Sequence, residues 1–170
     1  MMENPSTPAN PKLAEFIRRK LSKNFPHVQA FSSAEEFQKV IDKMAPGEVL
    51  DMHAWGASIG NAYWINPNSP HQEAEFHEYA HIYWAMLPEN DLIKRRLLNH
   101  FGSEEAAVLA IGKAGVKIAE LELSDKSLTA KVKNRLKKFW DRVRTMIWKN
   151  APIEVYAKVM AQRMWSGNDT

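Results

Sequence analysis

Cysteine is absent from this chain of 170 residues. Disulfides and thiolate metal ligands are thereby excluded, so any bound metal must rest on histidine and carboxylate, the donor set of catalytic sites more than of structural ones. Also missing is any apolar run of about 18 residues, so no transmembrane helix is expected and no membrane partner. Met1 to Lys12, carrying Pro5, Pro8 and Pro11, lacks the apolar core of a signal peptide and reads as a disordered lead-in over residues 1–12. No internal repeat or low-complexity block interrupts the chain. The location these absences point to is cytoplasmic, or inside a particle assembled in a bacterial-type cytoplasm.

What is present suits one domain, residues 13–166, with 45% hydrophobic residues to form a core. The formal net charge is +3, and the excess is localised. Between Lys131 and Lys149 eight basic residues face a single acid, Asp141. Such a patch can serve nucleic acid. The same segment carries Leu128, Val132, Leu136, Phe139, Val143, Met146 and Ile147 at helical spacing, so amphipathic C-terminal helices over 127–165 with a solvated basic side are favoured over nucleic-acid contact.

The most informative string is His77-Glu78-Tyr79-Ala80-His81, an H-E-x-x-H match inside a stretch, Gln72 to Leu87, free of glycine and proline. Four helical residues return a side chain to the same face about 6 Å along the axis. Both imidazoles can then reach one metal ion, while Glu78, rotated off their line, stands beside a metal-bound water as general base. That is the arrangement of a zinc hydrolase. The bland alternative is a surface helix with two solvated histidines. Against it, Ala74, Phe76, Ala80, Ile82, Tyr83, Trp84, Ala85, Met86 and Leu87 make the flanks apolar nearly all round, the pattern of a buried helix. Buried His and Glu need a ligand or hydrogen-bond partners.

Elsewhere the pattern predicts a basic helix over Leu13–Lys23 and a strand in Phe25–Phe31. Overlapping capping boxes at Ser32 and Ser33 open a helix to Met44. A second strand is expected in Glu48–Trp55 with Val49 and Met52 in the core, then a loop over Gly56–Gly60, then a strand over Asn61–Ile65. Helices follow at Asp91–Phe101, at Glu104–Glu120 with Ser103 as cap, and at Ile153–Trp165. The class is α+β, a small N-terminal sheet with helices followed by a helical C-terminal half. Because the Asn61–Ile65 strand immediately precedes the histidine helix, it is expected at a sheet edge beside the metal, where Ala62, Tyr63 and Trp64 would pair with an extended peptide substrate.

A catalytic zinc usually has three protein ligands. The pattern with Gly and His at the third and sixth positions after the motif is excluded by Trp84 and Leu87. Glu89, His100, Glu104 and Glu105 remain. Glu89 follows the helix too closely to reach back easily, and His100 also suits the C-terminal turn of its helix. Of the two glutamates opening the next helix one is expected to be only a surface residue, and Glu105 is preferred as ligand, with Glu104 and His100 as alternatives.

The run Phe76 to Trp84, preceded by Ala62-Tyr-Trp-Ile-Asn66-Pro67 and followed by Glu104-Glu105-Ala-Ala-Val-Leu-Ala-Ile-Gly112, resembles the small gluzincin-like zincin domains of phage and mobile-element proteins. The resemblance covers roughly Val28 to Gly112. It implies a zincin-like fold, Zn2+ held by His77, His81 and Glu105, Glu78 as general base, and a zinc metallopeptidase acting on a protein or peptide, carried in a phage particle or free in the cytoplasm. The chain departs from the pattern at position 109, where many gluzincins keep a second carboxylate and this one has leucine. The orienting partner of one histidine is thereby left unassigned. The competing expectation is a catalytically silent zincin-fold module that contacts a host protein, or nucleic acid through the basic helix.

Overall fold

Why the chain forms its small sheet is clearest at its turn. In the computed structural model, which describes residues 11–68, 71–124, 138 and 153–167, Gly60 takes φ of +58°, the left-handed conformation that glycine adopts without steric cost. With Asn61 it makes a two-residue hairpin, joining β2 (Gly56–Ile59) to β3 (Ala62–Ile65) in register Ile59 to Ala62. β1 (Gln29–Phe31) pairs parallel to the other side of β3, giving the order β1-β3-β2.

β3 is therefore the central strand. Its side chains alternate between two cores: Ala62 and Trp64 lie under α2 (Ala34–Met44) with Phe37, Ile41 and Leu50, whereas Tyr63 enters the main helical core. Ser33 caps α2 as expected, accepting the Glu36 amide at 3.2 Å. The segment before β2 is not the expected strand but a succession of turns. Leu50 is its core residue, while Val49 and Met52 are 83% and 53% exposed.

Six helices are present among the described residues. α1 (Pro11–Asn24) buries Leu13, Ile17 and Leu21 at four-residue spacing, so Pro11 and Lys12 belong to a helix, not to the expected lead-in; residues 1–10 lie outside the described residues. α3 (Ala74–Met86) buries ten of its 13 residues. It ends against Lys94, whose buried ammonium donates to the carbonyls of Trp84 and Leu87 at 3.0 and 3.1 Å and so offsets the negative end of the helix dipole. α4 (Leu92–Phe101) starts on Asp91 and ends at Gly102. α5 (Glu104–Ser124) starts on Ser103, which accepts the Ala106 amide at 3.2 Å. α6 (Ile153–Ser166) packs on α5, α4 and α1. Apart from an exposed helical Lys138, the basic segment lies outside the described residues. No helix among those described is long and apolar enough to cross a membrane.

α3 and α5 meet unusually closely. A Cβ at Gly115 would stand 2.3 Å from the Phe76 ring, and one at Gly112 would touch the backbone of His77 at 3.6 Å. The two glycines interrupt α5 at some cost in helix propensity, and in return the helix axis can approach α3. They lie seven and ten residues after Glu105, on the same side of α5. The approach they permit therefore carries Glu105 toward the histidines.

Candidate metal centre

Phe76 meets Gly115, His77 meets Gly112, and His81 meets the first turn of α5, so α3 and α5 run antiparallel. His77 and His81 present their rings on one face of α3, centroids 4.9 Å apart. Glu105 reaches both: its Oε2 lies 3.0 Å from His77 Nε2 and its Oε1 2.9 Å from His81 Nε2. One ligand atom from each of the three residues falls within 4.8 Å of the others. Two imidazole nitrogens and a carboxylate oxygen converging in this way suit zinc, with Nε2 of both rings turned toward the shared point.

Electrostatics follow from the contacts. Burial pulls the His81 pKa down, but the hydrogen bonds to Glu105 and Glu104 outweigh it and push it up to about 9. Hydrogen bonds from His77 and His81 hold the Glu105 carboxyl well below the usual carboxylate range. Glu104 contacts the other edge of His81, Oε2 to Nδ1 at 2.8 Å, and falls outside the converging set. His77 Nδ1 is buried and has no hydrogen-bond partner among the described residues.

Glu78, one residue on from His77, is turned toward the sheet and is 4% exposed. Burial pushes its pKa up; the charges on His77 and His81 and a hydrogen bond from Ser58 pull it back in part. Gly56 packs directly on it: a Cβ there would come within 3.2 Å of Glu78 Oε2 and 2.6 Å of the Trp64 carbonyl oxygen. Gly56, Ala57 and Ser58 form one wall of a cleft of about 240 Å³ whose other lining is His77, Glu78, His81 and Glu105.

Of the residues the sequence nominated, His77, Glu78, His81 and Glu105 are brought together. His100 lies exposed on the last turn of α4 with its ring against Phe101, and Glu89 pairs with Lys94. The proposed substrate strand is corrected. Ala62, Tyr63 and Trp64 are 5%, 1% and 1% exposed in the centre of the sheet and present no free edge. A strand buried on both faces carries a continuous apolar run, and Ala-Tyr-Trp-Ile was such a run. The strand beside the site is β2, where a loop over Gly56–Gly60 was expected. Gly60-Asn61, a hairpin pair just after it, was the available signal.

Gly56→Ala should accordingly damage the site from the sheet side. Its Cβ cannot be accommodated without moving the β3 backbone at Trp64, and it would also crowd the Glu78 carboxylate. Stability should fall by about 1–3 kcal/mol, the usual cost of overpacking, and any metal uptake should be unchanged, since none of the three converging donors lies on β2. Thermal melts and metal analysis of the variant check both.

Comparisons with protein families, with curated proteins and with solved structures find no match to this chain.

Proposed function

We propose that this chain is a zinc-dependent metallopeptidase with a zincin-like arrangement, His77, His81 and Glu105 holding the metal and Glu78 acting as general base. The observation that carries the reading is the convergence of three donors from α3 and α5 with a fourth, buried carboxylate one residue away on the sheet side. The chemistry a zinc ion supplies when bound is Lewis acidity, which acidifies water and polarises a carbonyl.

The chain's own residues do the rest. Glu78 accepts the proton of the water that attacks the scissile carbonyl and returns it to the leaving amine. Its burial disfavours the charged form and so makes it a stronger base than a solvated glutamate. Ser58, on the cleft wall beside it, favours the charged form of the Glu78 carboxylate. A peptide rather than a smaller substrate is favoured by β2: among the described residues it pairs only with β3, and its Gly56, Ala57 and Ser58 line the cleft. An extended chain can add there as a further strand.

The test is metal analysis of protein purified without chelator, followed by digestion of a mixed peptide library. About one zinc per chain is expected, with cleavage lost to chelator and restored by zinc. Zinc bound without cleavage of any peptide would favour the silent binding module. Zinc uptake should also depend on pH. His81 holds a proton up to about 9 in the metal-free protein, and a ligand imidazole must be neutral. Affinity should thus rise with pH, with roughly one proton released per zinc, and level off above about 9. Calorimetry in buffers of different ionisation enthalpy counts the proton.

A further inference from the structure

Two carboxylates open α5, and they grip opposite edges of one imidazole. Glu105 faces Nε2 of His81 at 2.9 Å, and Glu104 faces Nδ1 at 2.8 Å. The two nitrogens of an imidazole point in diverging directions, so a group bonded at Nδ1 cannot share a ligand position at Nε2. An ionised carboxylate only accepts hydrogen bonds, so the contact with Glu104 requires the ring proton on Nδ1. In the metal-free ring Nε2 likewise donates, to Glu105; in the neutral ring that a metal ligand requires, Glu104 keeps the remaining proton on Nδ1 and leaves the Nε2 lone pair facing His77 and Glu105.

His77 and His81 are held by different means. His77 is buried with its Nδ1 unpartnered among the described residues, and the close passage of α5 at Gly112 confines its Cβ. His81 sits nearer solvent, its side chain 19% exposed, and steric confinement is correspondingly weaker. Adjacent residues diverge by about 100° around a helix, which is why a neighbouring pair of glutamates can bracket a ring inserted between them. The Ser103 cap keeps this first turn regular.

We infer that Glu104 is the positioning residue of His81: it fixes the rotation of the ring and places its proton on Nδ1, so that Nε2 is presented to the metal. Its metal-affinity consequence rests on the zinc reading above; the ring geometry does not.

The experiment compares full-length wild type, Glu104→Ala, Glu104→Gln and Glu105→Ala. Zinc affinity is measured by chelator competition, and the His81 ring is observed by long-range proton–nitrogen correlation in the metal-free and zinc-loaded chains. Alanine at an exposed first-turn position keeps the helix, and circular dichroism verifies it. In wild type the His81 ring should be protonated at Nδ1, with that proton shielded from exchange. Glu104→Ala should lose the shielding and bind zinc about 10–100-fold more weakly. Glu104→Gln should fall between, because its amide oxygen still accepts. Glu105→Ala should lose more than either, being a ligand. An unchanged affinity and ring signature in Glu104→Ala overturns the assignment, as does a loss equal to that of Glu105→Ala, which would make Glu104 a ligand. If wild type takes up no zinc, the peptidase reading fails alone. The metal-free spectra then still decide, since an Nδ1 proton equally exposed in wild type and Glu104→Ala overturns the positioning role.

Discussion

Replacing Glu78 by glutamine is expected to lower peptide hydrolysis by about 10²-fold or more, the usual worth of a positioned acid–base group, with zinc content unchanged. The substitution keeps size and shape, and Glu78 is outside the three-residue donor set. Its stability effect should run the opposite way to its activity effect. Burial raises the Glu78 pKa above its ordinary value. A carboxylate whose pKa is higher in the folded state makes folding less favourable once pH exceeds the unfolded value, because the fold then holds a charge it disfavours. At neutral pH the metal-free Glu78→Gln chain should therefore melt no lower than wild type. His77→Ala should instead lose the metal, together with any stability that metal binding contributes. Rates, zinc content and melting temperatures of the two variants separate base from ligand. A Glu78→Gln protein that retains full cleavage sinks the assigned role.

The second large effect is expected at Phe76, next to His77 in sequence but packed on the other side, against Gly115 and Trp165. Its ring is fully buried, stacks on Trp165 at 6.2 Å between centroids, and covers the gap left by Gly115. Phe76→Ala should cost about 3–5 kcal/mol, from lost burial and the cavity left behind, against a total stability of about 5–15 kcal/mol for a domain. Gly115→Ala alone should cost about 1–3 kcal/mol by overpacking. In the Phe76→Ala background that cost should vanish, because the new methyl enters the space the ring vacated. Denaturant midpoints of the two single variants and the double variant measure the coupling. Additive losses would mean that Gly115 is not there to seat Phe76.

The difference between what was legible and what was not is best seen in adjacent residues. His77, Glu78 and His81 could be read directly, because helical periodicity is a property of a few consecutive residues. The choice between Glu104 and Glu105 could not be settled the same way. Both sit at a helix start, both are favoured there by the dipole, and only the packing of α5 on α3 decides which faces Nε2. The assignment of a carboxylate to Nδ1 of His81 is likewise invisible in sequence: it comes from 23 residues away, and from a side chain whose type suits a ligand equally well. Leu50 against Val49 and Met52 makes the same point for the core. All three are apolar, and the turn geometry chose the one that points inward.

The sheet shows the converse. An apolar run and a Gly-Asn pair are both present, yet the strand nearest the histidines in sequence, β3, is not the one that lines their cleft, β2. By itself the sequence determined the α+β class, the helix bearing the histidine pair, the capped starts of α2 and α5, and a donor set limited to histidine and carboxylate by the lack of cysteine. These rest on local spacing and on side-chain chemistry, which need no knowledge of neighbours. Only the tertiary structure decided that β2 walls the cleft, that Ala62, Tyr63 and Trp64 are buried, and that Glu105 rather than His100 joins the histidines. Those outcomes depend on strand order and on how closely two helices pack, set here by a hairpin glycine and by two glycines in the middle of α5. Such long-range geometry is a sum over the whole core, and no single stretch of sequence contains it.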